Sequence, residues 1–149
     1  MDRSVMSTTR SCFEERAVSC ELLAVSLLGL AIMKDFKKLL IWQKAMDIVA
    51  STYKMAEQLP TEEKYGLRSQ VTRCAVSIAA NIAEGSSRES QKDYKRFCEI
   101  SLGSCFELET HCLVAIKLRL VEEKQLSELL KMLEEEEKML TAFIKTLAA

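Results

Sequence analysis

Glu107 and His111 stand four residues apart in a helix-forming stretch, a spacing at which a carboxylate and an imidazole share one face and can hold a metal ion or bond to each other. His111 is the only histidine in the chain, and the residue three before it is Leu108. A ferritin-like di-iron centre needs an acid-x-x-His pair on each of two helices, so it cannot be built. Two ligands make a weak metal site, and the expectation for this pair is a hydrogen bond along the helix, with no metal and no cofactor. No glycine-rich phosphate loop, nucleophile elbow or paired zinc motif occurs, which points away from catalysis and from a small-molecule substrate.

Six cysteines could form three bridges, but they do not sit in loops as secreted frameworks place them. Cys98, Cys105 and Cys112 recur every seven residues, on one stripe of one helix, about 10 Å apart at a rise of about 1.5 Å per residue. That is too wide to share a metal ion. They read as small apolar residues, reduced in a cytoplasm.

Charge is balanced overall, with 21 basic and 22 acidic side chains, but not evenly spread. From Lys34 to Arg96 there are 12 basic and 8 acidic residues, and from Phe97 to Ala149 there are 6 and 10. Lys37, Lys38, Lys44, Arg68, Arg88, Lys92, Lys95 and Arg96 lie in the positive part and are the candidate contacts for RNA or DNA phosphates. Solvated surface charge is the plainer reading of them. Trp42 sits near Leu39, Ala45 and Met46 on its helix, the place of a core or interface anchor more than of a base-stacking ring.

These side chains must be carried by helices. The chain has one proline, four glycines and an aromatic fraction of 6%, a bias toward long helices and away from sheets. At 149 residues one domain can bury roughly 68–70% of its unfolded surface, so no staple is required. A first helix follows Phe36, Leu39, Leu40, Ala45 or Met46, Val49, Tyr53, Ala56 and Leu59, and ends before Pro60. A second opens at Thr61-Glu62-Glu63 and runs to Ala83 or Glu84, with Gly85 as its left-handed stop. Ser90 caps a third, which extends to about Lys117. Glu122 to Leu147 is the fourth, with its acidic run Glu134 to Glu137 read as a solvated face. Short connections make neighbouring helices antiparallel, so the expected fold is all-α, an up-down-up-down four-helix bundle over residues 33–149.

Projected around its axis, the second helix has three faces. Leu67, Val71, Cys74, Ile78 and Ile82 make the core stripe. Beside it Gln70, Arg73, Ser77, Asn81 and Glu84 form a narrow polar stripe, for which Arg73 is expected to pair with Glu84, Glu107 or Glu109. Val76, Ala79, Ala80 and Ala83 occupy the third face. Alanines there serve helix propensity, or they let another subunit's helix or the N-terminal segment approach closely; the second reading makes this face an oligomer interface.

The strings Leu40-Ile41-Trp42-Gln43-Lys44-Ala45, Tyr65-Gly66-Leu67 with Gln70 and Arg73, Ala75 to Gly85 with Arg88, and Leu102 to Thr110 resemble the four-helix-bundle proteins encoded in intervening sequences of 23S rRNA genes, once labelled S23 ribosomal proteins. The resemblance covers roughly Lys34 to Leu147. It implies a homopentameric, barrel-like assembly and a relation to the accessory protein of diversity-generating retroelements, which binds nucleic acid and a reverse transcriptase. It implies no known reaction. The function expected is a non-enzymatic oligomeric scaffold, with nucleic-acid binding by a basic surface repeated around a ring as the alternative.

Residues 1–32 fall outside the resemblance. Their apolar run Leu22 to Ile32 is shorter than the about 20 residues that span a bilayer. Three origins stay open: translation upstream of a true start at Met33, an appended helix, or a signal segment, which lacks a basic n-region.

Overall fold

The computed structural model describes residues 35–147. The N-terminal extension, with its possible origins and its two cysteines, lies outside them. Four long helices carry the fold: α1 (Leu40–Gln58), α2 (Leu67–Ser86), α3 (Gln91–Lys117) and α4 (Glu123–Thr146). Short 3-10 turns at Phe36–Lys38 and Thr61–Lys64 precede α1 and α2. Among the described residues there is no strand.

Each helix packs on its neighbour in sequence, and α1 also packs on α4, so the four close into a square whose backbones approach along its sides and not across its diagonals. With connections this short, that arrangement is the up-down-up-down bundle. Ile48, Ile78, Ile82, Leu108, Leu126, Leu129, Leu133 and Leu140 are the large buried side chains at its centre.

The helix ends follow local chemistry with two departures. Ser90 Oγ accepts from the Asp93 amide at 3.4 Å, the expected cap of α3. Glu122 and Gln125 form a reciprocal capping box on α4. Thr61, however, opens only a 3-10 turn, and α2 begins six residues later, where Glu63 Oε2 accepts from the Leu67 amide at 2.9 Å. Gly85 is also not a left-handed stop: it is helical, and α2 continues to Ser86. A Cβ at Gly85 would come within 2.8 Å of Tyr94 Cδ2 and 2.9 Å of Phe97 Cβ. Glycine is needed for the approach of α3 rather than for a turn. Among the described residues the one positive φ is at Arg119, 58°, just past α3, where Leu120 N–H bonds back to the Ala115 carbonyl at 2.9 Å.

The buried stripe of α1 is rotated from the expected one. Ile41, Ala45, Ile48, Thr52, Met55 and Ala56 are buried, whereas Leu40, Met46 and Tyr53 are 70%, 42% and 50% exposed. Apolar residues occur on both sides of this helix, and packing on α2 and α4 selected one of two acceptable stripes. Trp42 is half-buried against the core, edge-on to Phe36 with ring centroids 5.2 Å apart.

Candidate assembly face and polar seam

The α2–α3 seam is lined by small residues, and its polar groups are organised. Asn81 Nδ2 donates to the Ser77 carbonyl at 2.8 Å and to Ser77 Oγ at 3.0 Å. Ser77 Oγ lies 2.9 Å from Ser104 Oγ, and Ser104 Oγ donates to the Ile100 carbonyl at 3.0 Å. A hydroxyl has one hydrogen, so with Ser104's spent on Ile100, Ser77 is the donor between them. The chain of donors therefore runs one way, from Asn81 through Ser77 and Ser104 to the α3 backbone. Ser101 Oγ donates in the opposite sense, from α3 to the Ile78 carbonyl of α2 at 2.9 Å, and is fully buried.

The two ends of the expected polar network behave differently. Arg73 reaches Gln70 Oε1 at 2.9 Å and none of the three glutamates. Glu84 pairs with Arg88, one turn on. Glu109 lies toward α4, where its charge raises the Glu137 pKa after burial has done so. Sequence placed these residues on one stripe, but pairing depends on which side of α3 each acid faces.

On the third face of α2, Val76 is 44% exposed, Ala80 is exposed and Ala83 is half-buried. Ala79 departs from the expectation. It is 6% exposed and joins Ala75 in the core of its own chain, so it is not available to a second subunit. Sequence reasoning missed the exposed apolar side chains of α3: Ile100 and Val114 are 43% and 39% exposed, and Phe106 and Leu113, 50% and 52% exposed, lie on another side of the helix, Phe106 beside Glu137, Thr141 and Ala142 of α4. Ile100 lies one turn before Ser104, whose hydroxyl bonds to its carbonyl.

Several of the cations proposed for nucleic acid are occupied within the chain. Lys44 pairs with Glu135 across the α1–α4 seam, which holds the Glu135 carboxyl below its ordinary pKa. Arg68 donates to the Leu59 carbonyl. Arg88 bonds to Glu84 and stacks 4.7 Å from the Phe97 ring centroid. Lys38 lies 3.5 Å from Asp35, and Lys95 lies 3.9 Å from Glu99. Lys37, Lys92 and Arg96 are exposed and make no ion pair among the described residues. Lys92, Lys95 and Arg96 line one hollow with Ser90, Asp93 and Glu99 at the start of α3.

The acidic run of α4 is not uniformly solvated, contrary to expectation. Glu136 is fully buried, and neither carboxyl oxygen has a hydrogen-bond partner. Burial pushes its pKa up to about 8, with Lys44 pulling the other way. Helical spacing explains the burial: Leu129, Leu133, Glu136 and Leu140 follow each other at three or four residues, so the stripe passes through one acid.

All four cysteines of the described residues are free and buried. Cys74 is the one that sequence reasoning kept in the core without a role. Its sulfur, a Glu107 carboxylate oxygen and a His111 ring nitrogen all lie within 4.8 Å of one another. Burial raises the Cys74 thiol to about 11, and the hydrogen bond it gives Glu107 adds to the rise. The expected Glu107–His111 hydrogen bond is not formed: His111 Nε2 is 3.7 Å from Glu107 Oε1, and it is buried without a partner.

The architecture and this seam define an all-α bundle protein built from four antiparallel helices, with a polar, small-residue contact between its second and third. The 23S rRNA-intervening sequence protein family matches residues 37–142, and the chain belongs to that family. A crystal structure from Bacteroides thetaiotaomicron, described as a protein with unknown function from the S23 ribosomal protein family, superposes with a TM-score of 0.67 at 23% identity, covering 71% of this chain and 99% of that one. At that identity the likeness speaks for the fold. No curated protein matches the sequence. No helix among the described residues is long and apolar enough to cross a membrane.

Proposed function

We propose that the chain assembles with copies of itself into a closed oligomer and acts as a binding scaffold, with no catalytic step. The observation that carries this reading is the exposed apolar surface of adjacent helices, Val76 and Ala80 on α2 with Ile100 and Val114 on α3. Apolar side chains left exposed on neighbouring helices are the material from which an interaction surface is built. A ring needs two different patches that meet, and the exposed Leu40, Met46 and Tyr53 of α1 supply apolar surface elsewhere on the same subunit. Five copies is the number suggested by the sequence resemblance. Buried, unbridged thiols favour a reducing cytoplasm as its setting.

Light scattering on the purified chain tests the proposal. The mass should be a multiple of the single chain. Ala80→Glu places a carboxylate in the contact without touching the core, and burying that charge unpaired is costly enough to dissociate a modest interface. The variant should be monomeric with undiminished helical circular dichroism. A monomeric parent protein, or an Ala80→Glu variant of unchanged mass, rejects the reading.

A second reading, RNA or DNA binding, is favoured by the open cations Lys92 and Arg96 at one surface hollow. The resemblance to the retroelement accessory protein points the same way. A ring would repeat this hollow around its axis, and multivalency would strengthen a weak site. Binding to structured RNA should fall steeply as salt rises, and again on changing Lys92 and Arg96 together to Ala. Absence of binding at low salt eliminates it and leaves the scaffold.

A further inference from the structure

We propose that Cys74, Glu107 and His111 form a divalent-metal site, with zinc as the metal that fits their chemistry best. Cys74 comes from α2, and the other two from successive turns of α3, so an ion bound there ties the two helices of the polar seam together.

The three ligand atoms lie within 4.8 Å of one another, and the His111 to Glu107 separation is 3.7 Å. Tetrahedral zinc with bonds of about 2.3 Å to sulfur and about 2.0–2.1 Å to nitrogen and oxygen sets neighbouring ligands about 3.3–3.6 Å apart. From the 4.8 Å bound, closure asks for no separation to shrink by more than about 1.2–1.5 Å, and Glu107, half-exposed, can supply much of that by side-chain rotation. The second observation is His111 itself. Its Nε2 is buried, faces Glu107, and has no hydrogen-bond partner. An uncompensated buried ring nitrogen is costly, and a metal ion at the centre of the cluster would satisfy it.

Donor chemistry narrows the ion. One thiolate, one imidazole and one carboxylate are the ligand types of zinc, whereas magnesium and calcium take oxygen alone. Binding releases the Cys74 thiol proton to solvent. A thiolate and a carboxylate then balance the two positive charges, so the loaded site is neutral where it is most buried. Arg73 is the nearby cation that acts on Cys74, and it favours the thiolate while opposing the metal. Glu107 faces solvent, so a water can fill the fourth position.

The inference is independent of assembly and is tested by spectroscopy on the full chain after chelator treatment and dialysis. Cobalt(II) alone is the probe. One equivalent should give a sulfur-to-cobalt charge-transfer band and visible bands of four-coordinate intensity, both removed by one equivalent of zinc. Cys74→Ala should abolish the charge-transfer band, whereas Cys112→Ala should retain it. His111→Asn and Glu107→Gln should each weaken cobalt binding by at least about tenfold. His111 and Glu107 are partly exposed, so these two variants keep the test decisive should Cys74→Ala unfold. Absence of the charge-transfer band in the parent protein overturns the proposal, as does a band that survives Cys74→Ala or an affinity unchanged by His111→Asn.

Discussion

The α2–α3 seam and the inner stripe of α4 are both buried, but they solve the problem of a polar group in a helical core in opposite ways. Between α2 and α3 the residues are small: Ser77, Gly85, Ser101 and Ser104, with Cys74 beside Glu107 and His111. Small residues bring the backbones close, and the hydroxyls can then reach across to carbonyls of the facing helix. On α4 the stripe is Leu126, Leu129, Leu133 and Leu140, whose bulk fills the centre of the bundle. The one acid in that stripe, Glu136, finds no donor. Close approach supplies partners for polar groups, and bulky packing does not.

The largest expected effect comes from that acid. Glu136 has a pKa raised from 4.5 to about 8 in the folded chain, so folding takes up a proton at pH values between the two. Stability contributed by the neutral form is fully present below about 4.5 and is lost progressively as pH rises toward about 8. A raised pKa of this size corresponds to a loss on the order of 5 kcal/mol across the window. Denaturant midpoints measured from pH 5 to pH 9 should fall accordingly, and Glu136→Gln should flatten that slope. An equal slope in the variant would show that Glu136 is not the group responsible.

Truncation of the bulky stripe comes next. Leu133→Ala removes a fully buried side chain and leaves a cavity that neighbouring leucines cannot fill, at a cost of about 3 kcal/mol by chemical denaturation. The small-residue seam should break in the reverse direction, by addition. Gly85→Val sets side-chain atoms against Tyr94 and Phe97, and overpacking should cost about 2 kcal/mol, with the loss localised to the α2–α3 end in hydrogen exchange. A stabilised Gly85→Val protein would mean that the two helices are free to separate there.

The smallest effect sharpens the contrast most. Ser77→Ala deletes the middle of the donor chain, leaves Ser104 Oγ without its incoming hydrogen and takes one acceptor from Asn81. About 1 kcal/mol is expected in thermal unfolding. Ser77→Ala with Ser104→Ala should cost less than the sum of the two singles, since each disrupts the same bond. Strict additivity would show that the hydroxyls act separately.

Much of this was readable in the sequence, for a physical reason that differs from place to place. The bundle, its third and fourth helices and the Ser90 cap follow from periodicity and from a side chain that satisfies a neighbouring amide, all within four residues. The stripe of Ser77 and Asn81 was visible because helical spacing aligns it. Tertiary packing alone decided the rest. Ala79 turned inward and Val76 outward because the width of the buried arc on α2 depends on how many helices surround it. The stripe of α1 rotated because two apolar sides were available and only one could face α2 and α4. Lys44 and Arg68 met partners 91 and 9 residues away, which no local pattern encodes. Cys74 joined Glu107 and His111 for the same reason: the i, i+4 pair belongs to one helix and is written in its spacing, whereas the third side chain arrives from another helix and is placed only when the seam closes.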